Sequence, residues 1–171
     1  MNETDLRLDI IGQGNSLGPF SSRECTQTLS PLVPDSLRRT INGNLVSVRH
    51  PGHRKFKSTI SCKDKAPPAF AGLWRGSVLK VGCLQSLSHI VPSHTQQIQV
   101  ERTPLSLHLV DYSGKPWTAQ HLKESWVSLP SHFPGDFLIY RPELTMVVQN
   151  YFLETDEWGA NVGWQLDLEE M

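Results

Sequence analysis

The sequence predicts a mainly β protein, folded as an antiparallel β-barrel or sandwich with long loops. Three observations support this prediction. Apolar residues alternate with polar ones near the C-terminus, an Asn-Gly pair separates two short β-prone runs, and twelve prolines and twelve glycines interrupt the chain. No long segment has sustained helical periodicity. We count about eight to ten strands at irregular spacing, which is typical of a barrel or sandwich.

The most regular pattern lies in residues 144–168 and predicts a long β-hairpin. Its apolar residues occupy every second position: Leu144, Met146 and Val148, then Trp158, Ala160, Val162, Trp164, Leu166 and Leu168. That is strand spacing. The polar run from Glu154 to Glu157 forms the predicted tip. We therefore expect Trp158 and Trp164 to lie on the same apolar face.

Three earlier segments also predict strands. The pair Asn42-Gly43 indicates a hairpin with a type I′ turn, in which both residues take positive φ. The run KFKSTISC, residues 55–62, alternates Phe56, Ser58, Ile60 and Cys62 with basic and hydroxyl residues, so its basic side should face solvent or a partner. In SVLKVGC, residues 77–83, the apolar residues again fall on one face.

The expected organisation is an extended arm over residues 1–24 followed by a single β domain over residues 25–171. Within that domain, residues 86–136 form a variable, insertion-like region. This region contains two strand-like runs, QIQVER and LSLHLVDY, and the run WTAQHLKESWV, which suggests a short helix. Pro142 predicts a sheet edge or a bulge just before the terminal hairpin.

Composition excludes several classes of protein. No apolar run approaches the roughly 20 residues that span a bilayer, and the start MNETDLRLD is acidic rather than basic and apolar. We therefore expect a soluble chain with no membrane contact. Three widely spaced cysteines, Cys25, Cys62 and Cys83, argue against a disulfide framework and favour a reducing cytoplasm. Cys62 and Cys83 are expected to be small core residues.

Charge is divided unevenly along the chain. The formal net charge is only -1, which gives no overall reason to expect a nucleic-acid ligand. Residues 36–63 nevertheless contain seven Lys or Arg and no acid, whereas residues 142–171 contain seven acids and no Lys or Arg. Such a division suits a subunit whose basic region pairs with the acidic region of a neighbouring copy.

Motifs for catalysis or cofactor binding are weak. The run GQGNSLG lacks the third glycine of a dinucleotide fingerprint, and no Gly-x-Ser-x-Gly elbow is present. His50 and His53 lie near Cys62 without a Cys-x-x-Cys partner, so they indicate a loop rather than a zinc site. We expect no enzyme activity, catalytic residue, cofactor, metal or small-molecule substrate. The alternative is a β-barrel that binds nucleic acid through the basic surface of residues 38–63, with Phe56 stacking on a base.

Three further segments belong together: CTQTLSPLVPDSLRRTINGNLVSVRHPGHRKFKSTISCKD, PPAFAGLWRGSVLKVGC and FLIYRPELTMVVQNYFLETDEWGANVGWQLDLEE. Taken together, they resemble a family of tailed-bacteriophage tail proteins. The features similar to the family are an Arg-Arg-Thr-x-Asn-Gly-x-Leu hairpin, a Pro-Pro-Ala loop leading to Gly-x-Trp, and the closing hairpin with Trp-Gly-Ala-x-Val-Gly-Trp. The segments cover over half of the chain. Residues 86–136 match no part of the family pattern.

The resemblance implies a non-enzymatic structural protein of the virion, in the tail tube or at the distal end of the tail. It would assemble in the host cytoplasm into a ring, expected to be a hexamer, and would contact other tail proteins, with DNA only as passing cargo. From the hairpin and the charge division we expect a set of interface residues. They are Arg38, Arg39, Arg54, Lys55, Lys57, Asp156, Glu157, Trp158 and Trp164. Acids of residues 154–170 are expected to line the channel, where they would keep DNA from binding.

Overall fold

The computed structural model describes residues 4–32, 37–48, 54–159 and 161–171. These residues form fifteen strands and no helix. The strands are β1 Arg7–Ile10, β2 Gly14–Asn15, β3 Thr26–Pro31, β4 Leu37–Arg39, β5 Leu45–Ser47, β6 Phe56–Asp64, β7 Val78–Gly82, β8 Leu87–Val91, β9 Gln97–Gln99, β10 Pro104–Val110, β11 Pro116–Trp117, β12 Gln120–His121, β13 Trp126–Ser128, β14 Asp136–Thr155 and β15 Val162–Glu170.

The largest sheet has ten strands, and its main path follows the order β2-β1-β7-β14-β15-β6-β3. Strands β8, β10 and β11 join it beside the first half of β14. All the pairs in this sheet are antiparallel. The prediction of a mainly β, antiparallel fold is therefore confirmed. The main path is open, ending at β2 and β3, and the described residues form no closed barrel.

The twenty-residue strand β14 connects two parts of the large sheet, because its two halves pair with different strands. Residues 136–142 pair with β8 and β10, whereas residues 143–155 pair with β7 and β15. The change falls at Pro142, which has no N–H to donate. Opposite Pro142, the register of β10 shifts between Pro104 and Ser106. The irregularity predicted at this proline is therefore confirmed.

A first hydrophobic cluster lies under the sheet formed by β1, β7, β14, β15 and β6. Its members are the inward residues of those strands, joined by Phe70 and Leu73 from the loop before β7. The alternation predicted for KFKSTISC is confirmed, since Ser58, Ile60 and Cys62 are buried. Period-two patterns thus identified the strands that form this cluster.

A second hydrophobic cluster is formed mainly by the region in which sequence patterns gave the weakest structural predictions. Strands β8, β10 and β13 and the first half of β14 contribute Val91, Leu109, Val127, Leu138 and Tyr140 to it. The helix suggested for WTAQHLKESWV is wrong, because that segment forms the short strands β11 and β12 and the start of β13. Apolar residues in this segment cover the second cluster in extended conformation, so tertiary packing overrides local helix propensity.

The extended arm expected over residues 1–24 is not confirmed. Strand β1 pairs with β7, and Leu6, Leu8 and Ile10 are buried in the first cluster. The loop that follows crosses the same cluster and is fixed by Asp64, a buried carboxylate. One oxygen of Asp64 accepts hydrogen bonds from the N–H groups of Ser22 and Arg23, at 3.0 Å each. Much of this segment is therefore part of the folded body.

Candidate assembly surfaces

The hairpin predicted at Asn42-Gly43 is confirmed, and we call residues 37–48 the arm hairpin. Among the described residues, strands β4 and β5 pair with each other alone and form a separate two-stranded sheet. The turn differs from the prediction, because only Gly43 has positive φ, at 80°. The Gly43 N–H donates to the Thr40 carbonyl at 2.9 Å, and the Thr40 N–H donates to the Asn44 carbonyl. This pattern matches a type I turn followed by a glycine bulge.

Every residue of the arm hairpin is exposed. Its large apolar side chains retain between 43% and 106% of their accessible surface: Leu37, Ile41, Leu45, Val46 and Val48. The two predicted interface residues Arg38 and Arg39 lie between them on β4, and the Arg39 guanidinium donates to the Gly43 carbonyl at 3.0 Å. The arm hairpin thus combines exposed apolar surface with positive charge.

The end of the long hairpin is a second exposed apolar surface, and we call residues 152–158 the tip. Strands β14 and β15 stay paired as far as Thr155 and Val162. The tip exposes three large apolar side chains, Phe152, Leu153 and Trp158. It also carries three exposed carboxylates, Glu154, Asp156 and Glu157. The Asp156 carboxylate accepts a hydrogen bond from the Asn161 side chain at 3.4 Å. The tip is therefore apolar and acidic.

The two tryptophans of the hairpin lie in different environments, so the prediction that they share a face is wrong. Trp158 is 90% exposed because it lies in the turn between the strands, where strand alternation no longer applies. Trp164 is 3% exposed. Its indole N–H donates to the Ser21 carbonyl at 2.7 Å, and its ring packs edge-to-face on Phe70 at 5.3 Å. Within one chain, Trp158 is therefore a surface residue and Trp164 a core residue.

The predicted interface residues Arg54, Lys55 and Lys57, which we call the basic segment, lie at the start of β6. The Arg54 guanidinium is 3.4 Å from the Glu101 carboxylate. Lys57 is exposed and lies directly opposite Glu169 on β15. The structure thus places part of the basic region beside acidic residues of the same chain.

A buried ion pair near the basic segment was missed by sequence reasoning. Arg102 Nε and one terminal nitrogen donate to the two carboxylate oxygens of Glu170, at 3.0 and 3.1 Å. Both side chains are largely buried. Burial alone lowers the pKa of Arg102, but the hydrogen bonds and charge of Glu170, together with the charge of Glu101, raise it above its usual value. Glu170 also accepts a hydrogen bond from the Phe56 N–H at 2.9 Å, and Arg102 lies over the Phe56 ring. Glu170 is therefore committed to an internal network rather than to a channel surface.

The prediction that the three cysteines form no disulfide framework is corrected by the structure. Cys25 and Cys62 form a disulfide across the neighbouring ends of β3 and β6, whereas Cys83 is a free buried thiol. Burial raises the pKa of Cys83 to about 11. An odd cysteine count does not exclude one disulfide, and the pairing depends on strand register that the sequence alone did not give. Cys62 and Cys83 are core residues as predicted.

A cleft beside the tip is formed by two adjoining pockets of about 390 and 590 Å³. Glu24, Lys63, Glu154 and Gly163 line both of them. This cleft presents charges of both signs, from Glu24 and Glu154 and from Lys63. In the described ranges, no three His, Cys, Asp or Glu side chains come together as a metal site. His50 and His53 lie outside the described residues.

No helix in the described part of the chain has the length and apolar character needed to span a bilayer. Comparison of the chain with protein-family models, curated proteins and solved structures finds no match in any of the three.

Proposed function

We propose that this chain is a non-enzymatic structural protein of a tailed-phage virion, which assembles into a ring in the tail tube or at the distal end of the tail. The observation that carries the assembly role is the exposure of large apolar side chains on two separate hairpins, the arm hairpin and the tip. Large exposed apolar surface is typical of a protein that binds other proteins. The phage context rests on the resemblance of the three sequence segments.

The positions of those segments support treating the resemblance as one unit. Residues 25–64 contain β3 to β6, residues 67–83 contain β7, and residues 137–170 contain nearly all of β14 and β15. Strands β7, β14, β15, β6 and β3 are consecutive neighbours in the large sheet. The three segments that resemble the phage family therefore fold together, while most of residues 86–136 lies around the second cluster. A sandwich with long loops remains part of this proposal, whereas the described residues support neither a closed barrel nor a detached N-terminal arm.

The alternative role in nucleic-acid binding has less support. Phe56, the aromatic residue available for base stacking in that hypothesis, packs against the first cluster and beneath Arg102. Arg54 and Lys57 lie beside acidic residues, which lowers the positive potential available to phosphate groups. A binding titration with single-stranded DNA across a salt series tests this alternative, which requires affinity that falls steeply with salt.

The proposed function predicts that the protein is a stoichiometric part of phage particles. Purified tailed particles would be analysed by mass spectrometry and by labelling with an antibody raised against this chain, and the purified protein would be imaged for rings. We expect the chain in the particles, labelled on the tail, and rings of the isolated protein. Absence of the chain from intact particles would refute the virion role.

A further inference from the structure

We propose that the arm hairpin of one copy docks on the tip of a second copy of this chain. This inference rests on the proposed function, because it names the surfaces through which neighbouring copies in the ring would join. The binding partner of the arm hairpin is thus a second copy of the chain, which contributes the apolar and acidic residues of its tip.

The arm hairpin needs a partner for physical reasons. An isolated two-stranded hairpin is marginally stable in water, since it has no core against which to bury its side chains. Strands β4 and β5 form a sheet of their own, and apolar residues project from both of its faces, Leu45 on one and Val46 on the other. Docking on apolar surface would remove these side chains from water and order the hairpin.

The tip matches the arm hairpin in chemistry. Residues 37–48 contain two arginines and no acid, whereas the tip contains three acids and no Lys or Arg. The exposed Trp158 ring could also receive an arginine guanidinium on its face, a contact that is favourable for arginine and tryptophan in particular. Each surface therefore offers the other an apolar centre and an opposite charge, which favours encounter in one register.

Charge also decides which parts of two copies meet. Contact between two arm hairpins would bring arginines together, and contact between two tips would bring carboxylates together. Both are disfavoured by repulsion between like charges. Contact between an arm hairpin and a tip uses different patches on the two copies, so each copy keeps one arm hairpin and one tip for further neighbours. Such a heterologous contact can repeat and close into a ring.

The test is sedimentation of the full-length protein over a range of concentrations and salt. Arg38→Glu with Arg39→Glu should weaken self-association by about tenfold or more, and adding Glu154→Lys with Glu157→Lys should restore most of the loss. A matched control, Arg75→Glu with Lys123→Glu, changes the same charge at exposed positions outside both hairpins and should leave self-association unchanged. Circular dichroism would verify that each variant is folded.

Apolar variants give an independent readout. Ile41→Ser with Leu45→Ser should reduce self-association without changing the folded body, because both side chains are exposed in one chain. Self-association that is unaffected by both the charge and the apolar variants, or a wild-type protein that stays monomeric at all concentrations, would overturn this inference.

Measuring how much of each variant is incorporated into particles distinguishes failure of the docking contact from failure of the virion role. Wild-type chain in particles, with the arm-hairpin variants incorporated equally well, would overturn the docking contact while leaving the virion role intact. Absence of the wild-type chain from particles, together with loss of self-association in the variants, would refute the virion role and support the contact.

Discussion

Replacing Trp164 with alanine should destabilise the isolated monomer strongly. The side chain is 3% exposed, packs edge-to-face on Phe70, and donates its indole N–H to the Ser21 carbonyl. This hydrogen bond holds the loop before β3 over the first hydrophobic cluster. The substitution therefore removes a large buried ring and also leaves the Ser21 carbonyl without that donor.

The expected cost combines these two effects. Truncation of a buried tryptophan to alanine costs about 3 to 5 kcal/mol, and the lost hydrogen bond contributes about 1 kcal/mol. We therefore expect a loss near 5 kcal/mol, which is comparable to the whole stability of a marginal domain. Trp164→Phe retains an aromatic ring but not the donor, so it should cost only about 1 to 2 kcal/mol.

Urea denaturation followed by tryptophan fluorescence and circular dichroism measures these losses. Trp158→Ala is the matched control, since that ring is 90% exposed in the turn and its removal should change the free energy of unfolding by about 0.5 kcal/mol or less. Equal losses for Trp164→Ala and Trp158→Ala would show that the reasoning from burial is wrong. A severe loss that is fully retained in Trp164→Phe would instead refute the assignment of most of the cost to burial of the ring.

Three further predictions concern the cysteines and the basic segment. Thiol titration should find no reactive thiol in the native protein, one after denaturation without reductant and three after reduction, because Cys25 and Cys62 are linked and Cys83 is buried. The free energy of unfolding should fall as pH rises from about 9 to about 11, by at most about 1.4 kcal/mol per pH unit. The reason is that the unfolded chain ionises Cys83 in this range while the native chain keeps it protonated. Urea midpoints that fall equally in Cys83→Ala would contradict this. Reversing the charges of the basic segment to Glu should leave the monomer folded, since exposed ion pairs contribute under about 1 kcal/mol each. The same change should slow incorporation into tails, and reversing Asp156 and Glu157 should partly rescue it. Normal assembly of the reversed variant at low salt would exclude the basic segment as an interface.

The sequence predicted the parts of the fold in which one sheet face is buried and the other is wet. Alternation identified β6, β7 and the two strands of the long hairpin, because burying one face requires every second residue to be apolar. The Asn42-Gly43 pair identified the arm hairpin through the conformational freedom of glycine, although the detailed turn follows from hydrogen bonds that the two residue types do not specify.

The remaining features depend on residues that are distant in sequence. The Cys25–Cys62 disulfide requires β3 to lie beside β6, and the Arg102–Glu170 ion pair joins residues separated by 68 positions. The alternating pattern also did not show where β14 ends, so Trp158 was predicted to lie on the apolar face of the hairpin instead of in the exposed turn. Each of these errors comes from long-range register or from a strand boundary rather than from a misread local pattern.

The charge division illustrates how spatial order changes the meaning of a sequence pattern. Along the chain, basic residues 36–63 and acidic residues 142–171 are far apart, which suggested pairing between subunits. In the sheet, β6 and β15 are neighbours, and Lys57 lies opposite Glu169. Part of the division is thus neutralised within one chain. The arm hairpin and residues 156–158 of the tip lie outside the pairing of β6 with β15. Charge steering between copies should therefore depend more on Arg38 and Arg39 than on the basic segment, and comparing the two reversal variants measures that difference directly.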